Sequence, residues 1–241
     1  MNEETIQGRD PITPGTLSEA PAMSVGATLL GVFLKPRPTL QALAARPRVL
    51  APILLVIFVV LGLTFIQAQS GLLKSDMLAK MEAQNAPPER IEMMSKAMDG
   101  PPRYFIAFGN AFIGLPIMLF GSAAILYFMA NLMLGARLRY LHYLSIVAYS
   151  NVVALLDHIA QLAIGLTRGT LLVPMGIGAF MGDELSKPMR AVDVATDPLF
   201  LWSATITALG VAIMARKSFG FGVVAVLPLF VIRVVLYGFL A

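Results

Sequence analysis

Cysteine is absent from the 241 residues of this chain. Its absence excludes disulfides, thiolate metal sites, iron–sulfur clusters and cysteine nucleophiles together. Histidine is nearly absent as well, since only His142 and His158 occur, and they form no His-Glu-x-x-His zinc motif. We also find no phosphate-binding loop, no Gly-x-Gly-x-x-Gly fingerprint and no Gly-x-Ser-x-Gly elbow. The sequence therefore predicts a protein that is not an enzyme and that holds no metal or other cofactor.

Charged residues are scarce. They make up 13% of the chain, whereas hydrophobic residues make up 57%, and the mean hydropathy is +0.77. A soluble domain is about a quarter charged, so lipid must be part of the solvent of this protein. The net charge of +4 comes from Lys and Arg spread between apolar blocks, which argues against nucleic acid as a partner.

Five apolar blocks are each long enough to cross a bilayer. They predict an all-α membrane protein, a bundle of about five transmembrane helices preceded by short interfacial amphipathic helices. Pro116 and Pro228 lie inside two of these blocks and predict kinks there. The predicted spans are residues 50–69, 106–134, 142–166, 198–215 and 221–240.

The residues before the first span divide into two parts. Residues 1–22 are polar and proline-rich and predict a disordered tail. Residues 23–48 contain two short apolar stretches with cations beside them, as interfacial amphipathic helices on anionic lipid require. A simple connector whose cations only orient the first span fits this segment equally well. The remaining residues, 49–241, form the predicted bundle.

Lys and Arg in short loops predict the orientation of the bundle. One side collects compact, purely basic flanks, so we expect it and the N-terminus to be cytoplasmic, with the C-terminus on the opposite side. The two long connections on that opposite side mix both charge signs. One of them predicts helices near Lys74–Gln84 and Glu89–Met98, and the other contains an apolar stretch at 171–180 that is too short to span. The membrane-surface cations of the basic side are Lys35, Arg37, Arg46, Arg48, Arg137, Arg139, Arg216 and Lys217.

A few polar residues fall at membrane depth, where a charge costs about 2.5–3.5 kcal/mol even on lenient insertion scales. Asp157 and Arg233 stand at similar predicted depths, so they could reach each other. His158, Gln161 and Asn110 are placed nearby. Two interpretations remain open for this candidate polar cluster. It is either a water-accessible path for an ion or small solute, or a buried ion pair with hydrogen bonds that fixes helix order.

Three stretches resemble the Yip (Ypt/Rab-interacting protein) domain family, in its bacterial branch. The first is Phe33-Leu34-Lys35-Pro36 through Thr39-Leu40 to Pro47. The second is Leu134-Gly135-Ala136-Arg137 leading into Tyr140 to Tyr149. The third is Asp197-Pro198-Leu199-Phe200-Leu201-Trp202, with Leu209-Gly210 following. Together with the span count, the resemblance covers roughly residues 30–240.

The resemblance implies a five-span membrane protein with a cytoplasmic N-terminus and no established catalytic chemistry. Eukaryotic relatives are associated with Rab-family GTPases and vesicle traffic, but this chain lacks their Asp-Leu-Tyr-Gly-Pro segment, so no functional residue is carried over. We expect a non-enzymatic protein of the bacterial inner membrane that binds or organises lipid or membrane-protein partners. A small transporter or channel that uses Asp157 and Arg233 is the alternative. The sequence leaves the oligomeric state open.

Overall fold

The computed structural model describes residues 23–181, 185–236 and 238. Every regular element in these ranges is helical, which confirms the predicted all-α membrane bundle. The predicted tail, residues 1–22, lies outside the described residues.

Four helices are long and apolar enough to cross a membrane. A fifth apolar helix has 17 residues within the described part of the chain, and the end of the predicted fifth span falls partly outside it. Both helices with an internal proline, Pro116 and Pro228, are helical on either side of it. The long helices are α3 (Leu50–Ser70), α6 (Pro102–Tyr127, continued by a π-helical turn at Phe128–Met133), α7 (Tyr140–Arg168) and α9 (Pro198–Ala215), followed by the shorter α10 (Phe219–Val235).

Helix α7 is the centre of the bundle, and α3, α6 and α9 pack around it. Its residues from Tyr143 to Ser150 are all buried. Helix α6 is peripheral, and the side chains of Phe105 and Phe112 are about four-fifths exposed. In a membrane these exposed apolar side chains would contact lipid tails, which are as apolar as the side chains themselves.

The two N-terminal helices, α1 (Val25–Leu34) and α2 (Pro36–Ala45), pack on the end of the bundle where α3, α7 and α10 begin. Leu40 and Leu43 of α2 are buried, and Leu40 lies beside Gly210 of α9. The apolar face of α2 therefore packs against protein. Contact between the polar face and the membrane surface remains a prediction.

The opposite end of the bundle, which we call the loop end, consists of helices α4, α5 and α8 and the segment 169–181. Helices α4 and α5 occupy the two predicted helical stretches and are bridged by an ion pair between Lys74 and Asp99. The segment 171–180 forms only a short 3₁₀ turn. The helices of this end are α4 (Leu72–Ala83), α5 (Pro88–Asp99), the 3₁₀ turn Ile177–Phe180 and α8 (Lys187–Thr196).

The carboxylate of Asp193 fastens that 3₁₀ segment to α8. Its oxygens accept the backbone N–H groups of Met175, Gly176 and Gly178 at 3.3, 2.8 and 2.9 Å. A Cβ at Gly176 would overlap the backbone of Asp193, so only glycine allows this close approach. The buried carboxylate thereby satisfies three backbone donors that would otherwise be unpaired.

Helices α9 and α10 cross closely at Gly222. A Cβ added at Gly222 would overlap the backbone carbonyl of Ala208 on α9. Small residues at such crossings allow two backbones to approach, which is a main source of helix association in lipid.

We predict that Gly222→Ala lowers stability by about 1–3 kcal/mol, the usual range for overpacking. The two helices must move apart to accommodate the methyl group. Gly220→Ala is the matched control, because it lies on the same helix and its Cβ would make only an ordinary contact, 3.9 Å from Ser218 Oγ, and it should gain helix propensity. Thermal unfolding of both variants in detergent measures the difference. Equal stability of the two would contradict the close crossing.

Candidate functional site

The structure brings Asp157 of α7 and Arg233 of α10 into a direct ion pair. Arg233 Nη2 donates to Asp157 Oδ2 at 3.0 Å, and the carboxylate side chain has no solvent exposure. Gln161, one helical turn along α7, donates from Nε2 to the other carboxylate oxygen at 2.7 Å. The i, i+4 spacing of Asp157 and Gln161 places both on one helix face, which makes this second bond possible. Both oxygens of the buried carboxylate are therefore paired.

The aromatic ring of Phe200 covers one face of the Arg233 guanidinium. The Cζ atom of Arg233 lies 4.2 Å from the centroid of the Phe200 ring. Phe200 in turn stacks on Phe230 with ring centroids 5.2 Å apart. A cation over an aromatic face is attracted by the ring quadrupole, most strongly where water is scarce. Arg233 of α10 thus contacts both α7, through Asp157, and α9, through Phe200.

A second carboxylate, Asp197, lies at the edge of this cluster. It is the N-cap of α9, where its Oδ1 accepts the N–H groups of Leu199 and Phe200 at 2.9 and 3.2 Å. Burial raises the pKa of the Asp197 carboxyl, and the negative charge of Asp157 raises it further, while the two cap N–H groups and Arg233 oppose the shift. The cap and the ion pair are therefore electrostatically linked.

The other predicted polar residues, His158 and Asn110, line a cavity beside the ion pair. The cavity has a volume of about 730 Å³ and is lined by α3, α6, α7, α9 and α10. His158 lies within electrostatic range of Arg233 and Asp197. Gln161 and Arg233 also reach the cavity wall, whereas Asp157 does not.

Sequence reasoning placed Asp157, Arg233 and Gln161 together but missed Asp197 and Phe200. Asp197 could have been recognised as a helix N-cap, because an Asp-Pro pair before an apolar run is typical of an N-cap with proline at the first helical position. Phe200 lies in one of the stretches that resemble the family, but nothing in the sequence placed it against Arg233, because a phenylalanine in an apolar span is common. Asn110 lies in the cavity wall and contributes no hydrogen bond to the ion pair.

The cations predicted for the membrane surface gather at one end of the bundle, which we call the basic end. It comprises the loops and helix ends carrying Lys35, Arg37, Arg46, Arg48, Arg137, Arg139, Arg216 and Lys217. All are exposed except Arg48, which is partly buried and donates from Nη1 to the carbonyl of Met23 at 2.8 Å. Within the described ranges, no Asp or Glu lies at this end.

The family model of the Yip1 domain matches residues 30–240, which is most of the described bundle. The chain belongs to the Yip1 domain family. Searches of curated proteins and of solved structures give no match. The match confirms the family that the three sequence stretches resemble, and membership supports an integral membrane protein with a non-enzymatic role.

One of the stretches that resemble the family, Leu134–Arg137, has an identifiable structural role in this chain. In the Leu134–Arg137 stretch, Gly135 adopts a positive φ of 72°, a conformation that glycine reaches without steric cost. Asn131 closes the same turn: its Nδ2 donates to the carbonyl of Leu138 at 2.7 Å, and its Oδ1 accepts the N–H of Leu138 at 3.3 Å. The hydroxyl of Tyr143 also donates to Asn131 Oδ1, at 2.6 Å. Gly135 and Asn131 therefore fix the connection between α6 and α7.

We predict strong coupling between Asp157 and Arg233. Either Asp157→Asn or Arg233→Gln alone should cost about 3–5 kcal/mol, because it leaves one buried polar partner uncompensated. The double variant should be more stable than the sum of the two losses predicts, by about 0.5–3 kcal/mol. Unfolding in detergent and accumulation in the membrane measure both effects. The exposed pair Glu92 and Lys96, 2.6 Å apart on α5, should give a coupling of only a few tenths in the same cycle.

We further predict opposite outcomes for two substitutions of Asp197. A raised carboxyl pKa means that the folded state loses stability as pH rises from the ordinary pKa of the carboxyl toward the raised one. Asp197→Asn keeps a cap acceptor without the charge, so it should be as stable as the wild type or more stable at pH 7. Asp197→Ala removes the cap and should cost about 1 kcal/mol. Thermal unfolding at pH 4 and pH 7 checks both, and an Asn variant less stable than the Ala variant would refute this assignment.

Proposed function

We propose that this Yip1 domain protein is a non-enzymatic organiser of membrane components and that its basic end binds anionic lipid at the cytoplasmic face of the bacterial inner membrane. The observation that carries the proposal is the segregation of charge. The basic end holds eight Lys and Arg without a carboxylate among the described residues. Anionic headgroups attract such a surface by about 1 kcal/mol for each cation near it.

The contrast with the loop end supports this assignment. Six Lys and Arg lie there, but six carboxylates accompany them in the described part of the chain. Several of them are paired, such as Lys80 with Asp76 at 3.2 Å and Lys96 with Glu92 at 2.6 Å. The loop end therefore presents nearly balanced charge, while the basic end presents a positive field to the adjacent membrane surface. The same asymmetry supports a cytoplasmic N-terminus through the positive-inside rule.

The packing of α1 and α2 gives this surface a defined shape. Thr28, Val32 and Leu40 are buried, and Ser145 of α7 donates to the carbonyl of Arg48 at 3.2 Å. The cations of the connection between α1 and α3 are thus held against the bundle. A surface that is already ordered loses less conformational entropy when it binds.

The ion pair supports an organising role over transport. Asp157 is fully buried, and both of its oxygens are paired within the protein. A proton or ion path would need this carboxylate to meet water. The arrangement fits a structural lock between α7 and α10 that holds the bundle for its surface interactions.

We predict that replacing four exposed cations of the basic end with glutamine abolishes a preference for anionic lipid. The variant is Lys35→Gln, Arg37→Gln, Arg216→Gln and Lys217→Gln. Phosphatidylglycerol should raise the melting temperature of the detergent-purified wild type more than phosphatidylcholine does, and the variant should lose most of that difference. The wild-type difference should shrink as salt rises toward 1 M, because exposed charges are then screened beyond about 3 Å.

The matched control neutralises four cations of the loop end: Lys80→Gln, Arg90→Gln, Lys96→Gln and Lys187→Gln. It should keep the wild-type lipid preference. Because fewer basic flanks can invert a membrane protein, single cysteines introduced into this cysteine-free chain verify the orientation of both variants. An equal loss in the control, or no loss in the basic-end variant, would refute the proposal.

A further inference from the structure

The cavity beside the ion pair is a groove that runs along the bundle axis. On α6 its wall extends from Asn110 to Ile125, about 22 Å at 1.5 Å per residue. Helices α3, α7, α9 and α10 supply the rest of its lining. The rim includes Ile117 of α6 and Ile232 of α10, which are 67% and 42% exposed. The groove therefore opens sideways, toward the lipid that surrounds the bundle.

The loop-end mouth of the groove is polar and incompletely satisfied. The side chains of Gln67, Asn110 and His158 line it and make no hydrogen bond within the described ranges. Lipid tails cannot pair with these amides and this imidazole. Asn110 is exposed, and Gln67 and His158 are partly buried, so all three can meet whatever fills the mouth. A polar group that meets hydrocarbon without a partner costs about 1–3 kcal/mol by protein mutational measures. The occupant of the mouth must therefore offer hydrogen-bonding groups of its own.

The deeper part of the groove has a different character. Four of its polar lining residues donate to backbone carbonyls within the bundle: Ser150 and Asn151 to Val147, Ser203 to Ser150, and Thr207 to Ser203. Thr64 and Ser122 also line the groove. The remaining deep walls are apolar and include Ile125, Val226 and Leu229. A deep occupant therefore needs no polar group.

The size of the groove decides between the possible occupants. A transmembrane helix about 10 Å wide and 22 Å long would need roughly 1,700 Å³, more than twice the volume of about 730 Å³. A helix of a second copy or of a partner would therefore not fit inside the groove. Water suits the mouth, but an apolar cavity tends to stay dry. The volume falls within the range of about 300–1,000 Å³ that is typical of sites for one small molecule.

We propose that the groove is a lipid-binding site that takes one glycerophospholipid from the surrounding bilayer. One acyl chain lies along the apolar depth, and the polar headgroup and ester region meet Gln67, Asn110 and His158 at the mouth. The lipid enters between α6 and α10, past Ile117 and Ile232. This site is remote from the basic end, so the inference is independent of the proposed function.

The test uses two glycines of α6 that both leave open space where a Cβ would lie. Gly114 lines the groove, whereas Gly109 faces away from it. Gly114→Leu fills the groove, and Gly109→Leu is the matched control with the same gain in helix propensity. The probe is palmitoyl-oleoyl phosphatidylethanolamine added to the delipidated full-length protein and counted by native mass spectrometry. The wild type and Gly109→Leu should each retain one lipid, and Gly114→Leu should lose at least fivefold in occupancy.

A second measurement distinguishes lipid from water. Gly121 also lines the groove with open space around it, so Gly121→Cys introduces a thiol deep within the site. In membranes this thiol should resist a membrane-impermeant reagent, while a cysteine on α5 reacts fully. Rapid aqueous labelling of Gly121→Cys would overturn the proposal in favour of a water-filled cavity. Retention of the bound lipid by Gly114→Leu, or its equal loss in Gly109→Leu, would overturn it as well.

Discussion

The hydrocarbon of a bilayer accepts no hydrogen bond, so a buried charge in the spanning region depends on partners inside the protein. The bundle depends on this constraint. The Asp157 carboxylate is paired by Arg233 and Gln161 at 3.0 and 2.7 Å, and the hydroxyl of Ser203 on α9 reaches the carbonyl of Ser150 on α7 at 3.3 Å. The bonds of Arg233 and Ser203 join α10 and α9 to α7, and the bond of Gln161 holds the Asp157 carboxylate in position. The order of the helices around α7 is therefore specified by polar groups that have no alternative partner.

Apolar contacts between helices add packing but little specificity in lipid, because lipid tails are as apolar as leucine. Specific helix packing arises where a glycine allows a neighbouring helix to approach closely at one position. Gly222 lets α10 lie against the Ala208 carbonyl of α9, and Gly210 leaves room for Leu40 of α2 and Ile146 of α7. These glycines act together with the ion pair. The close crossing sets the distance between α9 and α10, and Arg233 then fixes their rotation relative to α7.

The positions of the long helices could be predicted because a run of apolar residues about 20 long has few other uses. The meeting of Asp157 with Arg233 could also be predicted, since charges at that depth are rare and need partners. The inward packing of α2 could not, because an amphipathic helix shows the same pattern whether its apolar face meets lipid or protein. The groove could not be predicted either, because it depends on the spacing between α6 and α10, and no sequence pattern indicates that spacing.

Among the described residues, charge is distributed unequally along the bundle, which gives this part of the protein an electric dipole along the bundle axis. Moving one elementary charge through 100 mV changes its free energy by about 2.3 kcal/mol. An inversion of the inserted chain would carry the eight cations of the basic end through the hydrocarbon and, with that end on the negative side, against the potential. No thermal fluctuation supplies such an energy. The orientation reached during insertion is therefore kept for the lifetime of the molecule.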